Sequence, residues 1–536
     1  MNKKTIIYFS LAGITALALI LVLVGKNTEL QAKSANPEMV FTKEGWVKGK
    51  VMDKYRSFLG IPYAAPPKGP FRWKSPQPVK PWKEVKDATK PGSPCPQLPT
   101  SYANLASTEE DCLCLNVITP VVSDRQRLKP VMVWIHGDGT VGAGHVFNPL
   151  RLVELGDVVV VTINYRLGIF SGFGYPGLDG SGTFGLQDQQ AALKWVQRNI
   201  ASFGGTPNNV TLFGVSYGGL ATAAQLISPL SKGLFHKAII QSGFTLMDMP
   251  AGSIFPGIEA LPWVGWRSQK EIKELGKFVA EQLKSKDLKS LRQIAVKDLL
   301  PFSSMFQMHG YHSKVLPILP EKALANGDFN RIPVLAGNTL DEHRTFVSLF
   351  RILAGNPITK EKYRQLLDSA FAEQAGQIQS QYPVSAFYSP ATAWATVLTD
   401  RMWAKATYKQ HQLLSQHIPV YAYEFADRQA PVSLPFPKDL PAGAYHFSEV
   451  DYLLGEKEFY DKLSTAQQQL SDLMIQYWTN FARNGNPNGP GLPVWRNFQH
   501  TDTIPTVQSL VPGTNAIGTI DYYKEHQLAF WEKLHE

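Results

Sequence analysis

The chain has 536 residues, 44% hydrophobic and 18% charged, the balance of a globular protein with room for a large core. Its net charge of +9 comes from scattered Lys and Arg, with no basic block and no aromatic–basic interleaving, so the footprint of a nucleic-acid binder is missing. Cys95, Cys112 and Cys114 allow at most one disulfide, no Cys/His spacing has the form of a zinc site, and no metal or organic cofactor is expected.

In chain order, Lys3 and Lys4 precede an uncharged run at 5–24. As a helix rising ~1.5 Å per residue, the run reaches about 30 Å, enough for a bilayer core. With the lysines kept in the cytoplasm, the rest of the chain is expected to be exported. Residues 1–35 read either as an uncleaved membrane anchor or as a signal peptide cut near Leu30-Gln31-Ala32. The expected location is the bacterial periplasm, the medium, or the outward face of an inner membrane. The sequon Asn209-Val210-Thr211 falls in a predicted core strand, which favours a bacterial envelope protein over a glycosylated eukaryotic one.

Phe58-Leu59-Gly60-Ile61-Pro62-Tyr63-Ala64 is an apolar segment closed by Pro66-Pro67, and a Pro-rich loop follows to Pro99. Residues 110–117 alternate polar and apolar, which predicts a half-buried strand. Cys95 and Cys112 stand where they can close the Pro-rich loop; in an exported protein a bridge is expected rather than two free thiols. Val131-Met132-Val133-Trp134-Ile135 and Val158-Val159-Val160-Val161-Thr162-Ile163 are continuous apolar runs, the mark of strands buried on both faces. Residues 186–203 read as a helix with Ala192, Leu193, Trp195, Val196 and Ile200 on one face. Further core strands are predicted at Ala238-Ile239-Ile240, at 332–336 and at 420–423. Strands alternating with helices predict an α/β fold with a doubly wound, mostly parallel sheet. The helical stretches 247–331 and 344–418 read as insertions over the C-terminal edge of that sheet, where open α/β folds bind ligands.

The stretch Phe213-Gly214-Val215-Ser216-Tyr217-Gly218-Gly219 joins a predicted strand to a small-residue helix. G-x-S-x-G in that setting is a nucleophile elbow. Side chains at Gly214 and Gly218 would collide with neighbouring backbone in so tight a turn. Ser216 is left at the tip, with the N–H groups of the next helix beneath it.

With these blocks in hand, the chain resembles the type-B carboxylesterases, the α/β-hydrolase group that includes the cholinesterases. The likeness runs from Phe41 to the C-terminus. It rests on F-L-G-I-P-Y-A-x-P-P from Phe58, E-D-C-L-x-L-N-V from Glu110, N-Y-R-L-G from Asn164, the helix from Gly185, the elbow, A-I-I-Q-S-G from Ala238 and W-T-N-F-A-R-N-G-N-P-N from Trp478. The resemblance implies an α/β-hydrolase fold, with residues 36–536 as a single domain. It implies a triad of Ser216, Glu342 (in Gly337-Asn338-Thr339-Leu340-Asp341-Glu342) and His446 (in Gly443-Ala444-Tyr445-His446), with Asp341 as the alternative acid. It also implies a Cys95–Cys112 disulfide, an Arg72–Glu110 ion pair and an oxyanion hole made by the backbone N–H groups of Asp138, Gly139 and Tyr217.

Two departures from the family pattern stand out. The oxyanion loop is His136-Gly137-Asp138-Gly139-Thr140 where relatives have H-G-G-G-F, and a carboxylate aimed inward would oppose a forming oxyanion. Asp138 is therefore expected to turn away into a polar partner. The elbow carries Val215 and Tyr217 where the family usually has Glu and Ala, which lowers the expectation of tight binding to cationic esters. Tyr217 either narrows the acyl side or fills the core. The expected activity is hydrolysis of moderate-sized carboxylic esters through an acyl-enzyme, in an exported serine esterase that binds a small-molecule ester and no nucleic acid. The alternative is a membrane-tethered recognition domain that kept the fold and lost the chemistry. No long apolar lid for glycerides can be read in the insertions.

Overall fold

The computed structural model describes residues 36–121 and 127–534. The anchor or leader expected at 5–24 lies outside the described residues; among those described, no helix is long and apolar enough to cross a membrane. The main sheet contains β1 (Lys50–Val51), β2 (Tyr55–Pro62), β3 (Cys114–Pro120), β4 (Lys129–Ile135), β5 (Val159–Ile163), β6 (Gly205–Val215), β7 (Lys237–Gln241), β8 (Val334–Thr339), β9 (Val420–Phe425), β10 (Val507–Leu510) and β11 (Gly518–Ile520). They lie in the order β11-β10-β9-β8-β7-β6-β4-β5-β3-β2-β1. From β10 across to β5 all neighbours are parallel, and the remaining pairs at the two margins are antiparallel.

The period-two alternation of a strand divides the core into two layers. Val131, Val133 and Ile135 of β4 face one apolar cluster with Val210 and Leu212 of β6. Met132 and Trp134 face the other, with Phe213 and Val215. Helices α1 (Phe184–Asn199) and α2 (Tyr217–Ile227) cover the first face through Leu193, Trp195, Leu220 and Ala224. Helix α3 (Thr465–Asn484) covers the second through Met474, Trp478 and Phe481. Because both faces are covered, the parallel strands carry unbroken apolar runs.

One strand departs from expectation. The segment at 110–117 was read as half-buried, yet β3 is buried from Cys114 to Thr119. It runs between β2 and β5, with Leu115 and Val117 in one apolar layer and Ile118 in the other. Its polar Asn116 is tolerated because the amide donates to the Thr162 hydroxyl at 2.9 Å and accepts the Gly60 N–H at 3.0 Å.

The Pro-rich loop is tied down twice. Cys95 and Cys112 form a disulfide with Cα atoms 4.9 Å apart, and Cys114 is the free, buried thiol. Arg72 donates from Nε to Glu110 Oε1 at 2.7 Å, from Nη2 to Oε2 at 2.5 Å, and from Nη1 to the Ile294 carbonyl at 2.6 Å. Both side chains are about nine-tenths or more buried. Removing one partner strands a desolvated charge, whereas removing both does not. Arg72→Ala should therefore lose about 3–5 kcal/mol in urea unfolding, and exchanging Arg72 and Glu110 together for apolar residues should lose clearly less. Equal losses would contradict this account.

Candidate active site

The sheet's C-terminal edge collects the expected residues. Strand β6 ends at Val215 and α2 begins at Tyr217, so Ser216 is the whole connection. Its φ of 56° and ψ of −122° are strained for a side chain with a Cβ. The turn survives because its flanks are glycine. A Cβ on Gly218 would meet the Ile135 carbonyl oxygen at 2.1 Å, and one on Gly214 would meet the Gly218 oxygen at 2.6 Å. The backbone holds the tip in place: the Ser216 N–H donates to the Gln241 carbonyl at 2.8 Å, and the Leu220 N–H donates to the Ser216 carbonyl at 2.8 Å. Val215 is fully buried and fills the core beneath the elbow.

Glu342 follows the end of β8 and is fully buried. Its Oε1 accepts the Ser242 hydroxyl at 2.5 Å and the Thr339 N–H at 2.9 Å, while Oε2 bonds His446 Nδ1. The proton on that bond belongs to Nδ1, since a carboxylate can only accept there. Nε2 of His446 is left buried without a partner, and Ser216 and His446 line one cavity. Trp403 and Phe346 flank the imidazole, with ring centres 4.9 and 5.1 Å away.

The neighbouring carboxylate does a different job. Asp341 pairs with Arg344 at 2.7 Å and Arg428 at 2.9 Å. It also exchanges hydrogen bonds with Ala444, N–H to carbonyl and N–H to carboxylate, each 3.0 Å. Asp341 thereby splices the His446 loop to the end of β8. His343, for which the sequence offers no role, is buried and pushed down to about 3 by that burial. As a neutral ring it accepts the Trp403 indole N–H at Nδ1, at 3.2 Å.

The loop after β4 carries the other departure. Asp138 has φ 70°, and across this turn the Gly139 N–H donates to the Gly137 carbonyl at 3.0 Å. Among the described residues no acceptor is found for the Asp138 N–H, and the Tyr217 N–H, first in α2, has no intrahelical acceptor. Two of the three expected donors are therefore free, and that of Gly139 is engaged. The Asp138 carboxylate turns into polar partners, as expected. Oδ2 accepts the Tyr102 hydroxyl at 2.5 Å, and Oδ1 accepts the Thr140 N–H at 2.9 Å, the Thr140 hydroxyl at 2.6 Å and the Val141 N–H at 3.1 Å. Tyr217 is 3% exposed and packs on His309, their ring centres 4.8 Å apart. A Cβ on Gly139 would meet its ring at 2.8 Å, so both earlier readings hold in part: the ring is core, and it walls the cavity.

The cavity is about 630 Å³, and its exposed lining is mostly apolar. Met247, Ile254 and Phe255 come from the first helical stretch, and Phe346, Phe350 and Trp403 from the second. Both stretches thus roof the sheet edge. Among the described residues no cluster of His, Cys, Asp or Glu could hold a metal ion.

Residues 36–531 match the model of the carboxylesterase family. The chain belongs to the carboxylesterase family. As a carboxylesterase it is 34% identical to para-nitrobenzyl esterase of Bacillus subtilis over 465 residues, 84% of this chain and 91% of the relative. It is 33% identical to human cocaine esterase over 509 residues, 89% of this chain and 87% of that one. A solved thermophilic PNB esterase superposes with a TM-score of 0.75 at 29% identity, covering 92% of this chain and 99% of the other. The fold is the α/β-hydrolase fold, and the protein is a carboxylic ester hydrolase. Sequence reasoning passed over Ser242, Tyr102 and Trp403. Ser242 was findable, since it ends the A-I-I-Q-S-G block just past a core strand; the other two come from loops whose approach no local pattern encodes.

Proposed function

We propose that this carboxylesterase hydrolyses moderate-sized, largely apolar carboxylic esters through an acyl-enzyme on Ser216. His446 Nε2 takes the Ser216 proton as Oγ attacks the carbonyl carbon, then returns it to the leaving alkoxide. Glu342 holds the imidazole in the Nδ1–H form and stabilises the imidazolium; the Ser242 hydroxyl and Thr339 N–H keep its carboxylate aimed. The N–H groups of Asp138 and Tyr217 receive the oxyanion. That of Gly139 joins once it exchanges its bent bond to Gly137 for the developing charge. Water, activated by the same imidazole, then cleaves the acyl-enzyme.

The observation that carries this reading is the His446 ring, bonded at one nitrogen to a buried carboxylate and unpartnered at the other, in the cavity that Ser216 also lines. The apolar lining supports the substrate class. The disulfide supports an oxidising compartment, and with Lys3, Lys4 and the run at 5–24 it supports export, whether as a secreted, periplasmic or tethered protein.

The test treats protein lacking residues 1–35 with an aryl phosphonate and with short-chain nitrophenyl esters. A phosphonyl mass should appear on the peptide containing Ser216 and on no other. Ester hydrolysis should decline in acid as the histidine base is protonated. If neither labelling nor hydrolysis is seen, the recognition-domain alternative replaces this reading.

A further inference from the structure

We propose that Tyr102 is a positioning residue for turnover: by gripping the Asp138 carboxylate it aims the oxyanion loop and keeps that negative charge off the reacting centre. The inference rests on the reading of the Asp138 and Tyr217 N–H groups as oxyanion donors.

Tyr102 belongs to the segment closed by the Cys95–Cys112 bridge. That segment already holds the oxyanion loop at its far end. The Gly142 N–H donates to Gln97 Oε1 at 2.6 Å, and Gln97 Nε2 donates to the Gly142 carbonyl at 3.2 Å. Tyr102 makes the second attachment, nearer the chemistry. The two carboxylate oxygens of Asp138 divide the work. Oδ1 is spent on the loop's own Thr140 and Val141, and it also lies 3.4 Å from Gln307 Nε2. Oδ2 meets one donor, the Tyr102 hydroxyl at 2.5 Å. From the opposite side the Gln307 amide donates to the Asp138 carbonyl.

The turn so gripped has its centre at Asp138, whose positive φ aims both its own N–H and that of Gly139. Its inner wall is the Tyr217 ring, packed against Gly139 too closely for any Cβ. A rotation of this turn moves the donors together, and a displacement of about 1 Å in a catalytic group can cost on the order of 100-fold in rate. The phenol is suited to the task because it does not ionise: burial first, then the charge of Asp138, push its pKa far above the usual tyrosine value. It therefore remains a donor at every pH at which the enzyme is folded. Without it, Oδ2 has no protein donor and the carboxylate is free to swing toward the cavity that Ser216 lines. There its charge opposes the oxyanion but not the neutral ester, so the penalty falls on the transition state and spares the ground state.

The experiment is a double-mutant cycle of Tyr102→Phe and Asp138→Gly, read with a nitrophenyl ester and with an aryl boronic acid as a tetrahedral mimic. Tyr102→Phe should lower kcat about 10- to 100-fold with KM within about twofold, and weaken boronate binding in parallel. In the Asp138→Gly background the same change should do almost nothing further, because the group it grips is gone. Unchanged melting would exclude a fold defect as the cause. An active wild type with kcat unaffected by Tyr102→Phe overturns the clamp, as does an equal loss in both backgrounds. A wild type that hydrolyses no ester overturns the esterase mechanism beneath it, and the clamp with it.

Discussion

Ser216→Ala is expected to lower kcat/KM for a nitrophenyl ester by about 10⁶-fold, the scale seen when a serine triad loses its nucleophile. No other hydroxyl can take over, because the elbow alone puts an oxygen at the cavity surface above a helix N-terminus. Glu342→Gln should cost about 10⁴-fold, since an amide can present its own N–H to Nδ1 and favour the wrong tautomer. His446→Ala combined with Ser216→Ala should be little worse than Ser216→Ala alone, because the two act as a unit. Steady-state rates on active-site-titrated protein are the measurement. More than about 1% residual activity in Ser216→Ala would place the nucleophile elsewhere.

The second large effect concerns stability, far from the chemistry. His526 is fully buried between two carboxylates, with Nδ1 2.7 Å from Asp400 and Nε2 2.5 Å from Glu424. Asp400 also accepts the Tyr382 hydroxyl at 2.9 Å, which in turn accepts the Trp531 indole N–H at 2.9 Å. This network binds the C-terminal segment to the second helical stretch and to β9. Burial alone would push the imidazole down, but the charges and hydrogen bonds of Glu424 and Asp400 outweigh it and hold its pKa well above the ordinary histidine value. His526→Leu strands both carboxylates and should cost about 3–5 kcal/mol in denaturant unfolding.

The pH dependence has a definite sign. A histidine whose folded pKa is raised contributes its full stabilisation below the unfolded pKa of about 6.5, and loses it as pH climbs through the folded value. The gap between wild type and His526→Leu should therefore be widest in mild acid and at neutrality, and narrow in alkali. A gap that grew with pH, or a variant as stable as wild type at pH 6, would count against a charged His526.

How far the sequence reached depends on the range of the forces involved. The elbow was legible because its cause is local: Gly214 and Gly218 are demanded by backbone atoms that the turn itself brings close. The parallel strands were legible because burial on both faces leaves a continuous apolar run. The same logic failed for β3, where alternation was read as one wet face. Asn116 is polar yet buried, because its partners, Gly60 and Thr162, arrive from other strands. The choice between Asp341 and Glu342 came from resemblance. Adjacent residues past a strand end point different ways, and which one meets His446 is settled by a loop 104 positions later.

Taken alone, then, the amino-acid order determined the strained serine, the layered α/β core and the types of side chain that an acyl transfer needs, since these follow from sterics and periodicity within a few residues. The tertiary structure alone decided where the Asp138 charge goes, what grips it and what walls the cavity. Those depend on Tyr102, Gln307 and Trp403, side chains delivered from three separate segments, and a hydrogen bond or ring contact has no meaning until folding sets its distance.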